Sequence, residues 1–398
     1  MVMKQHEKWL TIAGLVAVTD QAFFVTLNWI LISSQGAKIG ALLLGVIAVV
    51  RLLSLLITGP IADRYGATRL VFATLIGRVV IFLALIPVFI SGNSLAMVLI
   101  AILFGVVDGT FLPSAGALLK SVTQQDEFSK SVAVLQIITS LSTGAAAAVA
   151  GINLSLSLTG ATVAGCAVFS LIAVVIFLVS GFRKLDTKGK NDIEESITAS
   201  LVGGFRLSVA HRNIATGLLL AFLIEITMTG ALNVGLPDYL TDLTRGSEFF
   251  GWAVTLFCIG GVIGGFTASQ VTAEKKRQHI VIASLFVFAA SNFAISFIDS
   301  LIVLLVCVLV IGISAGAAAP ILIADIMKEV PDTHSSRIYA LINLVTYGTI
   351  PVAYVAAGFI ADSFGAKTVF LVSGIILLIG GSATVYRTDR IAIRKKIR

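Results

Sequence analysis

Charge is scarce in this sequence. Only 12% of its 398 residues are charged, whereas 57% are hydrophobic and the mean hydropathy is +1.02. Soluble globular domains carry about 25% charged residues, so this composition excludes an ordinary soluble protein and predicts a chain embedded in a lipid bilayer. The apolar runs are long enough to cross about 30 Å of hydrocarbon, and backbone at that depth must satisfy its own hydrogen bonds. We therefore expect an all-α membrane protein.

Cysteine and histidine are also rare. Cys166, Cys258 and Cys307 all lie inside apolar stretches, which favours packing roles over a disulfide or metal framework. The four histidines lie at the ends of such stretches or between them. Neither the metal-binding His-Glu-x-x-His pattern nor the phosphate-binding Gly-x-x-x-x-Gly-Lys-(Ser/Thr) pattern occurs. We expect no enzyme activity, no ATP-driven pump, no metal site and no cofactor.

Hydropathy predicts twelve transmembrane helices. Their approximate bounds are residues 9–33, 39–61, 69–91, 94–119, 131–153, 159–182, 214–240, 247–271, 279–298, 300–327, 337–361 and 367–386. Lys4 and Lys8 precede the first span, as in a signal peptide. The span is longer than the roughly 7–15 apolar residues of such a peptide, so we expect it to be retained.

Most cations between the spans lie on one side of the predicted membrane. If the spans alternate in direction, that side holds Lys4 and Lys8, Arg64 and Arg69, Lys120 and Lys130, Arg183–Arg212, Lys275–Arg277, Lys328 and Arg337, and the tail Arg387–Arg398. The other side holds Lys38, Arg245 and Lys367. The positive-inside rule then places both termini in the cytoplasm. This topology accounts for the net charge of +7, so we expect no nucleic acid partner.

The second half of the sequence repeats the first. A shift of 207 positions places, without a gap, Gly105, Gly109, Pro113, Ala117, Ser129, Ala133, Ala150 and Gly151 on Gly312, Gly316, Pro320, Ala324, Ser336, Ala340, Ala357 and Gly358. Two repeated helical halves are the usual plan of a secondary transporter, with the site at the seam between them. The glycines and prolines are expected to serve helix packing and bending rather than ligand binding.

The repeat divides the chain into two pseudo-symmetric six-helix halves, residues 1–182 and 213–398, the second ending in a basic cytoplasmic tail. Residues 183–212 are predicted to be a cytoplasmic linker. Within it Ile193, Ile197, Leu201 and Phe205 recur every four residues. This spacing is consistent with an amphipathic helix on the membrane surface and, equally, with a partly ordered tether.

The loop between spans two and three reads Gly59-Pro60-Ile61-Ala62-Asp63-Arg64-Tyr65-Gly66-Ala67-Thr68-Arg69. Gly59 and Gly66 permit a tight turn and close helix approach, and the Asp63 carboxylate is favourable near a helix N-terminus, so the loop can form a breakable latch. It resembles the signature Gly-x-x-x-Asp-(Arg/Lys)-x-Gly-(Arg/Lys)-(Arg/Lys) of the major facilitator superfamily.

This resemblance covers nearly the whole chain, because the twelve spans, the linker and the half repeat agree with it. It implies a cytoplasmic charge network at Asp63, Arg64 and Arg69 that holds the two halves together when the transporter faces outward. Ala67 and Thr68 stand where the family pattern has basic residues. The alternative is a solvated turn that only sets the topology.

Within the superfamily the chain is most similar to the drug exporters that include macrolide efflux pumps and the enterobactin exporter. The similarity is carried by Leu112-Pro113-Ser114, Gly204-Phe205-Arg206-Leu207, Leu236-Pro237-Asp238-Tyr239 and the glycines of span eight, Gly251, Gly260, Gly261, Gly264 and Gly265. The Gly-Pro pair typical of span five in drug/proton antiporters is absent, and Gly144-Ala145 stands in its region.

Five ionisable residues lie near the middle of predicted spans: Asp20, Arg51, Arg78, Asp108 and Glu225. Charges at this depth are costly unless they face protein or water, so each is a functional hypothesis. In one interpretation Asp20 and Asp108 neutralise Arg51 and Arg78, which we favour for Asp108 and the two arginines. Glu225 has no evident basic partner at its depth, so it ranks first as a proton or cation site and Asp20 second.

Two polar stripes surround these acids. Span one carries Asp20, Phe24 and Asn28 at i, i+4 and i+8, and span seven carries Glu225, Thr229 and Asn233 at the same spacing. The resemblance implies that spans one and seven line the central cavity, so we expect Asp20 and Glu225 to face each other or a shared water pocket. A partly desolvated carboxyl there can bind and release a proton near neutral pH. Asp325, at the end of span ten, is predicted to serve a gate or helix terminus.

Together these features predict a proton-coupled exporter, an antiporter, in the bacterial cytoplasmic membrane. Its substrate is an amphipathic small molecule such as a drug or siderophore, moved as the two halves rock about a central site. The alternatives are an importer or facilitator of a small metabolite on the same fold and, from a different class, a sensor without transport. The expected partners are the substrate, protons and the lipid bilayer, and the chain is expected to function as a monomer.

Overall fold

The structure is a computed structural model that describes the backbone of residues 2–91, 93–124, 127–182, 212–241, 243–271, 274–328, 330 and 335–397. Some side chains within these ranges, Asp63 among them, lie outside the description. Every regular element in the described ranges is a helix, which confirms the all-α class. The predicted linker helix at residues 193–205 lies outside the described residues.

The helices follow one another in a simple order. They are α1 (Val2–Tyr65), α2 (Ala67–Ser91), α3 (Ser94–Val122), α4 (Phe128–Ser155), α5 (Thr159–Val179), α6 (Arg212–Gly230), α7 (Leu236–Leu240), α8 (Gly246–Ser269), α9 (Glu274–Phe297), α10 (Leu301–Lys328), α11 (Ser335–Phe364) and α12 (Ala366–Ile397). A π-helical segment, Ala231–Gly235, joins α6 to α7.

Eleven helical stretches in the described residues are long and apolar enough to cross a membrane, and the first, Gln5–Gly59, contains 55 residues. At 1.5 Å per residue that stretch is about 80 Å long, more than twice the roughly 30 Å of hydrocarbon. Its backbone is non-helical at Gly36, where φ is 79° and ψ is 162°. Glycine tolerates this conformation because it has no Cβ. We infer that α1 crosses the membrane twice, which gives twelve crossings. The sequence left residues 34–38 between the first two predicted spans as a loop, and in the structure only Gly36 departs from helical backbone.

Contacts between helices separate the chain into two compact units. Unit 1 comprises Met1–Leu31, Leu43–Glu194 and Leu243–Thr255, and unit 2 comprises Ile32–Leu42, Glu195–Asp242 and Leu256–Arg398. In unit 1, α2 packs against α3 and α5. In unit 2, α9 packs in the same way against α10 and α12. Each unit therefore repeats one neighbour pattern, as the internal sequence repeat requires.

Glycines permit close helix crossings in both units. A Cβ added to Gly109 of α3 would lie closer to the backbone oxygen of Arg51 than real Cβ atoms come, and one added to Gly316 of α10 would meet the backbone oxygen of Gly261 in the same way. These crossings bring α1 against α3 and α8 against α10. Small residues permit such approach inside a membrane, where van der Waals packing stabilises helix pairs.

Candidate functional site

An ion cluster around the fully buried side chain of Arg78 lies within unit 1. Arg78 of α2 donates from Nε to Asp20 Oδ1 at 3.0 Å and from Nη2 to Asp20 Oδ2 at 2.9 Å. The same Nη2 lies 3.2 Å from Oδ1 of Asp108 on α3. Paired hydrogen bonds between a guanidinium and a carboxylate are strong and directional. The cluster thereby joins three helices through the fully buried side chain of Arg78.

Arg51 completes the cluster from the second span of α1. Its Nε lies 2.6 Å from Asp108 Oδ2, and the two side chains are 38% and 14% exposed. Two acids and two arginines thus neutralise each other, which is the structural interpretation that the sequence offered. Neutrality matters here, because removing one partner of a buried ion pair leaves an uncompensated charge and costs about 3–5 kcal/mol.

Aromatic rings enclose the Arg78 guanidinium. Its carbon lies 4.6 Å from the ring centroid of Phe111 and 5.7 Å from that of Phe104. Phe104, Asp108 and Phe111 are spaced i−4, i and i+3 along α3, so one helix face presents the acid between two rings. Cations are attracted to ring faces, most strongly where water is excluded. Sequence reasoning missed these two rings, although their spacing around Asp108 was visible.

Glu225 is the mid-membrane acid of unit 2. Its Oε1 accepts a hydrogen bond from the hydroxyl of Thr229 at 2.9 Å, one turn further along α6. Among the described residues, Glu225 has no ion-pair partner. Two residues of the predicted polar stripe, Glu225 and Thr229, are therefore joined by a hydrogen bond. Asp20 and Glu225 belong to different units, and their expected face-to-face arrangement stays a prediction.

The two asparagines of the polar stripes have different surroundings. Asn28 on α1 is fully buried, and neither its amide nitrogen nor its amide oxygen finds a hydrogen-bond partner among the described residues. Asn233 lies in the π-helical segment, which sequence reasoning did not anticipate. Pro237 has no N–H to donate to the carbonyl of residue 233, so regular helix pairing fails there. Such π-helical segments are frequent at functional sites.

The signature loop forms a tight turn. Gly66 has φ of 90°, and its N–H donates to the carbonyl of Ala62 at 2.8 Å, which ends α1. Arg64 is exposed and its guanidinium lies 5.4 Å from the ring centroid of Tyr65. Arg69 is also exposed, and it forms no ion pair with another described residue. The Asp63 side chain lies outside the described residues, so the latch stays a prediction.

The sequence predicted that Gly59 permits a tight turn and a close helix approach, and the structure shows neither at this residue. It lies inside α1, and beyond the neighbouring backbone of its own helix no described atom comes within 4 Å of the position that a Cβ would occupy. Gly59 makes no turn, because the helix continues to the turn at Gly66, and it makes no close approach to another helix among the described residues.

Ion pairs also lie near helix ends. Arg277 of α9 is 2.8 Å from Asp325 of α10, consistent with the helix-terminus alternative for Asp325. On the predicted outer side, each of the three cations lies beside an acid: Lys38 with Asp362, Arg245 with Glu248, and Lys367 with Asp299. Hydrogen bonds from Lys367 and from the Tyr239 hydroxyl lower the pKa of the Asp299 carboxyl. The described residues bring together no group of three or more metal-ligating side chains.

Comparison with known proteins identifies the family. Residues 10–243 and 218–397 match the model of the Major Facilitator Superfamily. These matches span most of the sequence, so the chain belongs to that superfamily. It is a multi-pass membrane transporter and not an enzyme.

Its curated relatives include an efflux pump and a second transporter. The Multidrug efflux pump Tap of Mycolicibacterium fortuitum is 24% identical over 226 residues, 56% of this chain and 54% of Tap. The Staphyloferrin A transporter of Staphylococcus aureus is 24% identical over 361 residues, 88% of each protein. The chain thus aligns with about half of Tap and with most of the staphyloferrin A transporter.

Solved structures share the fold. The nucleoside transporter NupG superimposes with a TM-score of 0.77 at 13% identity, covering 96% of this chain and 99% of NupG. A D-xylose-proton symporter gives 0.76 at 11% identity, covering 96% and 97%. At such low identity these likenesses concern architecture alone.

Proposed function

We propose that this transporter is a proton-coupled exporter of an amphipathic small molecule, such as a drug or siderophore. It works in the bacterial cytoplasmic membrane with both termini in the cytoplasm, and residues 1–182 and 213–398 rock about a central site. Relatives named as a multidrug efflux pump and a siderophore transporter support this cargo class.

The observation that carries the proposal is the contrast between Glu225 and the other mid-membrane acids. Asp20 and Asp108 have arginine partners, whereas Glu225 has only the Thr229 hydroxyl among the described residues. Glu225 is half-buried, and a carboxyl at this depth that has no cation beside it is stable when it carries a proton or binds a cation. Exchange of a proton for a cationic cargo at one carboxyl is the minimum chemistry of antiport.

The remaining candidate residues support this step. Asp20 is the second proton site, and Arg78, Asp108 and Arg51 hold it in the neutral cluster. The amide of Asn28, which finds no hydrogen-bond partner among the described residues, is one proposed polar contact for the cargo, and the side chain of Asn233 is another.

The signature loop has a separate part in the proposal. Asp63, Arg64 and Arg69, with the turn at Gly66, form the cytoplasmic latch that opens once in each cycle.

Proton flux in liposomes tests the proposal. The protein is reconstituted with a pH-sensitive dye inside, a proton gradient is imposed, and ethidium, tetraphenylphosphonium and zwitterionic drugs are supplied in turn. We expect drug-dependent proton movement that Glu225→Gln abolishes. Glu248→Gln is the matched control, because it removes an acid that already has Arg245 as a partner, and it should leave the flux intact.

The opposite results are equally informative. Drug flux that ignores both the gradient and Glu225 would remove the antiport mechanism and favour a facilitator. Proton and solute moving in the same direction would favour an importer. Absence of flux for every solute tried would contradict the choice of amphipathic cargo.

A further inference from the structure

A short motif occurs twice in this chain, at the ends of two different helices. Residues 61–67 read Ile-Ala-Asp-Arg-Tyr-Gly-Ala, and residues 360–366 read Ile-Ala-Asp-Ser-Phe-Gly-Ala. The first copy is part of the signature loop and ends α1. The second copy ends α11, in a loop to which neither the family signature nor the proposed function assigns a part.

Both copies fold into the same turn. Gly66 has φ of 90° and Gly365 has φ of 84°, values that favour glycine because a Cβ would clash with the backbone. Each glycine N–H donates at 2.8 Å to the carbonyl four residues earlier, Ala62 in one copy and Ala361 in the other. The repeated sequence motif therefore ends both helices with the same glycine turn.

The two copies lie on opposite membrane faces. The second span of α1 ends on the predicted cytoplasmic side, and α11 ends on the predicted outer side, because successive spans alternate in direction. The aspartate of the outer copy, Asp362, has a partner: Lys38 Nζ lies 3.9 Å from its Oδ2. Lys38 begins the second span of α1, two residues after the break at Gly36.

Packing around Asp362 joins the same two helices. The Lys38 ammonium lies 4.9 Å from the ring centroid of Phe359, one turn before Asp362. A Cβ at Gly358 would lie 3.1 Å from the Ala37 carbonyl oxygen and 2.5 Å from the Ala41 side chain. The last turns of α11 thus dock on residues 37–41 of α1, and all these residues lie within unit 2.

We propose that residues 358–366 form an outer latch, a counterpart of the signature loop on the opposite membrane face. In it Lys38 and Asp362 hold the start of the second span of α1 to the end of α11. The two side chains are 42% and 48% exposed, and ion pairs this accessible are weak. A weak pair suits a contact that must break and re-form in every transport cycle. The proposal needs no particular cargo and no coupling to protons.

Hydrogen–deuterium exchange on the purified protein tests the latch directly. Asp362→Asn should speed backbone exchange in residues 37–42 and 358–366 by up to about fivefold, the equivalent of an exposed ion pair. The charge swap Lys38→Asp with Asp362→Lys should restore slow exchange. Asp299→Asn is the matched control, because it removes the ion pair with Lys367 on the same predicted side and leaves α1 untouched.

Two outcomes would overturn the latch: exchange unchanged in Asp362→Asn, or a charge swap as fast as the single variant. Thermal unfolding of each variant shows whether it folds, and Lys38→Met offers a second way to remove the pair. Because exchange is read without cargo, failure of the exporter assay leaves this test intact, and failure of the latch leaves the exporter proposal intact.

Discussion

The first half of the chain pairs its mid-membrane charges in one ion cluster, whereas the second half has Glu225 at that depth and its described ion pairs near helix ends. At the repeat shift of 207, Asp108 of the buried cluster corresponds to Ala315, which is also buried but apolar. In the reverse direction, Asp325, paired with Arg277, corresponds to Leu118, a fully buried member of an apolar core. The two halves thus share helix positions and differ in where those positions hold charge.

The close helix crossings at glycine are a feature that both halves share. Gly105 and Gly109 approach the backbone oxygens of Ile47 and Arg51, while Gly312 and Gly316 approach those of Phe257 and Gly261. By this geometry Gly261 takes the place of Arg51. Close packing depends on backbone shape and is preserved in both halves, whereas an ion cluster needs several side chains at once and, among the described residues, is present in one half. Glu225 is left as the mid-membrane acid of the second half.

Removing the arginine of the cluster should have the largest effect. Arg78→Met leaves Asp20 and Asp108 with Arg51 as the one described cation nearby, and the loss of a buried partner is expected to cost about 3–5 kcal/mol. The midpoint of SDS-induced unfolding measures it. The double variant Arg78→Met with Asp20→Asn restores the balance of charge and should recover part of the loss. An Arg78→Met protein as stable as the parent would contradict a structural role for the cluster.

Alanine at the two repeat-related glycines should separate packing from charge. Gly316→Ala forces α8 and α10 apart and is expected to cost about 1–3 kcal/mol. Gly109→Ala adds displacement of Arg51 from Asp108, so it should cost more in the same SDS unfolding assay. Gly261→Ala is the control, because its Cβ would meet no atom within 4 Å, and its stability should stay near that of the parent. Equal costs at Gly109 and Gly316 would show that the ion pair adds nothing.

The smallest effect is expected at the exposed pair of Asp299 and Lys367. The pKa of Asp299 is lowered in the folded protein, so its contribution to stability is present at neutral pH and is lost as pH falls through that lowered pKa. The difference in thermal midpoint between the parent and Asp299→Asn should therefore be small at pH 7 and vanish in acid. A difference that grows on acidification would have the wrong sign.

Several sequence predictions depended on local patterns and agree with the structure. Hydropathy predicted the helices, and the half repeat predicted that Gly109 and Gly316 would serve packing. Pairing of the four cluster residues was foreseen as an alternative because equal numbers of acids and bases occur in one half. The turn at Gly66 was foreseen because glycine was required there.

Other features were beyond the sequence. The break at Gly36 replaced a five-residue loop, and the π-helical segment before Pro237 was unforeseen. Gly59 was expected to make a turn or close approach and makes neither among the described residues. The second copy of the motif, at Asp362, was visible in the letters, but its meaning needed the matching backbone at Gly365 and the position of Lys38.

The sequence by itself determined that this chain crosses a membrane in helices and consists of two related halves. Apolar runs and an internal repeat can both be recognised along the chain without knowing which residues are in contact. Only the tertiary structure decided which charges meet. A helix turns about 100° per residue, so a side chain's partners depend on helix rotation and separation. That is why the sequence could show the mid-membrane acids and predict no basic partner for Glu225, whereas the pairing of Asp20 with Arg78 became visible only in three dimensions.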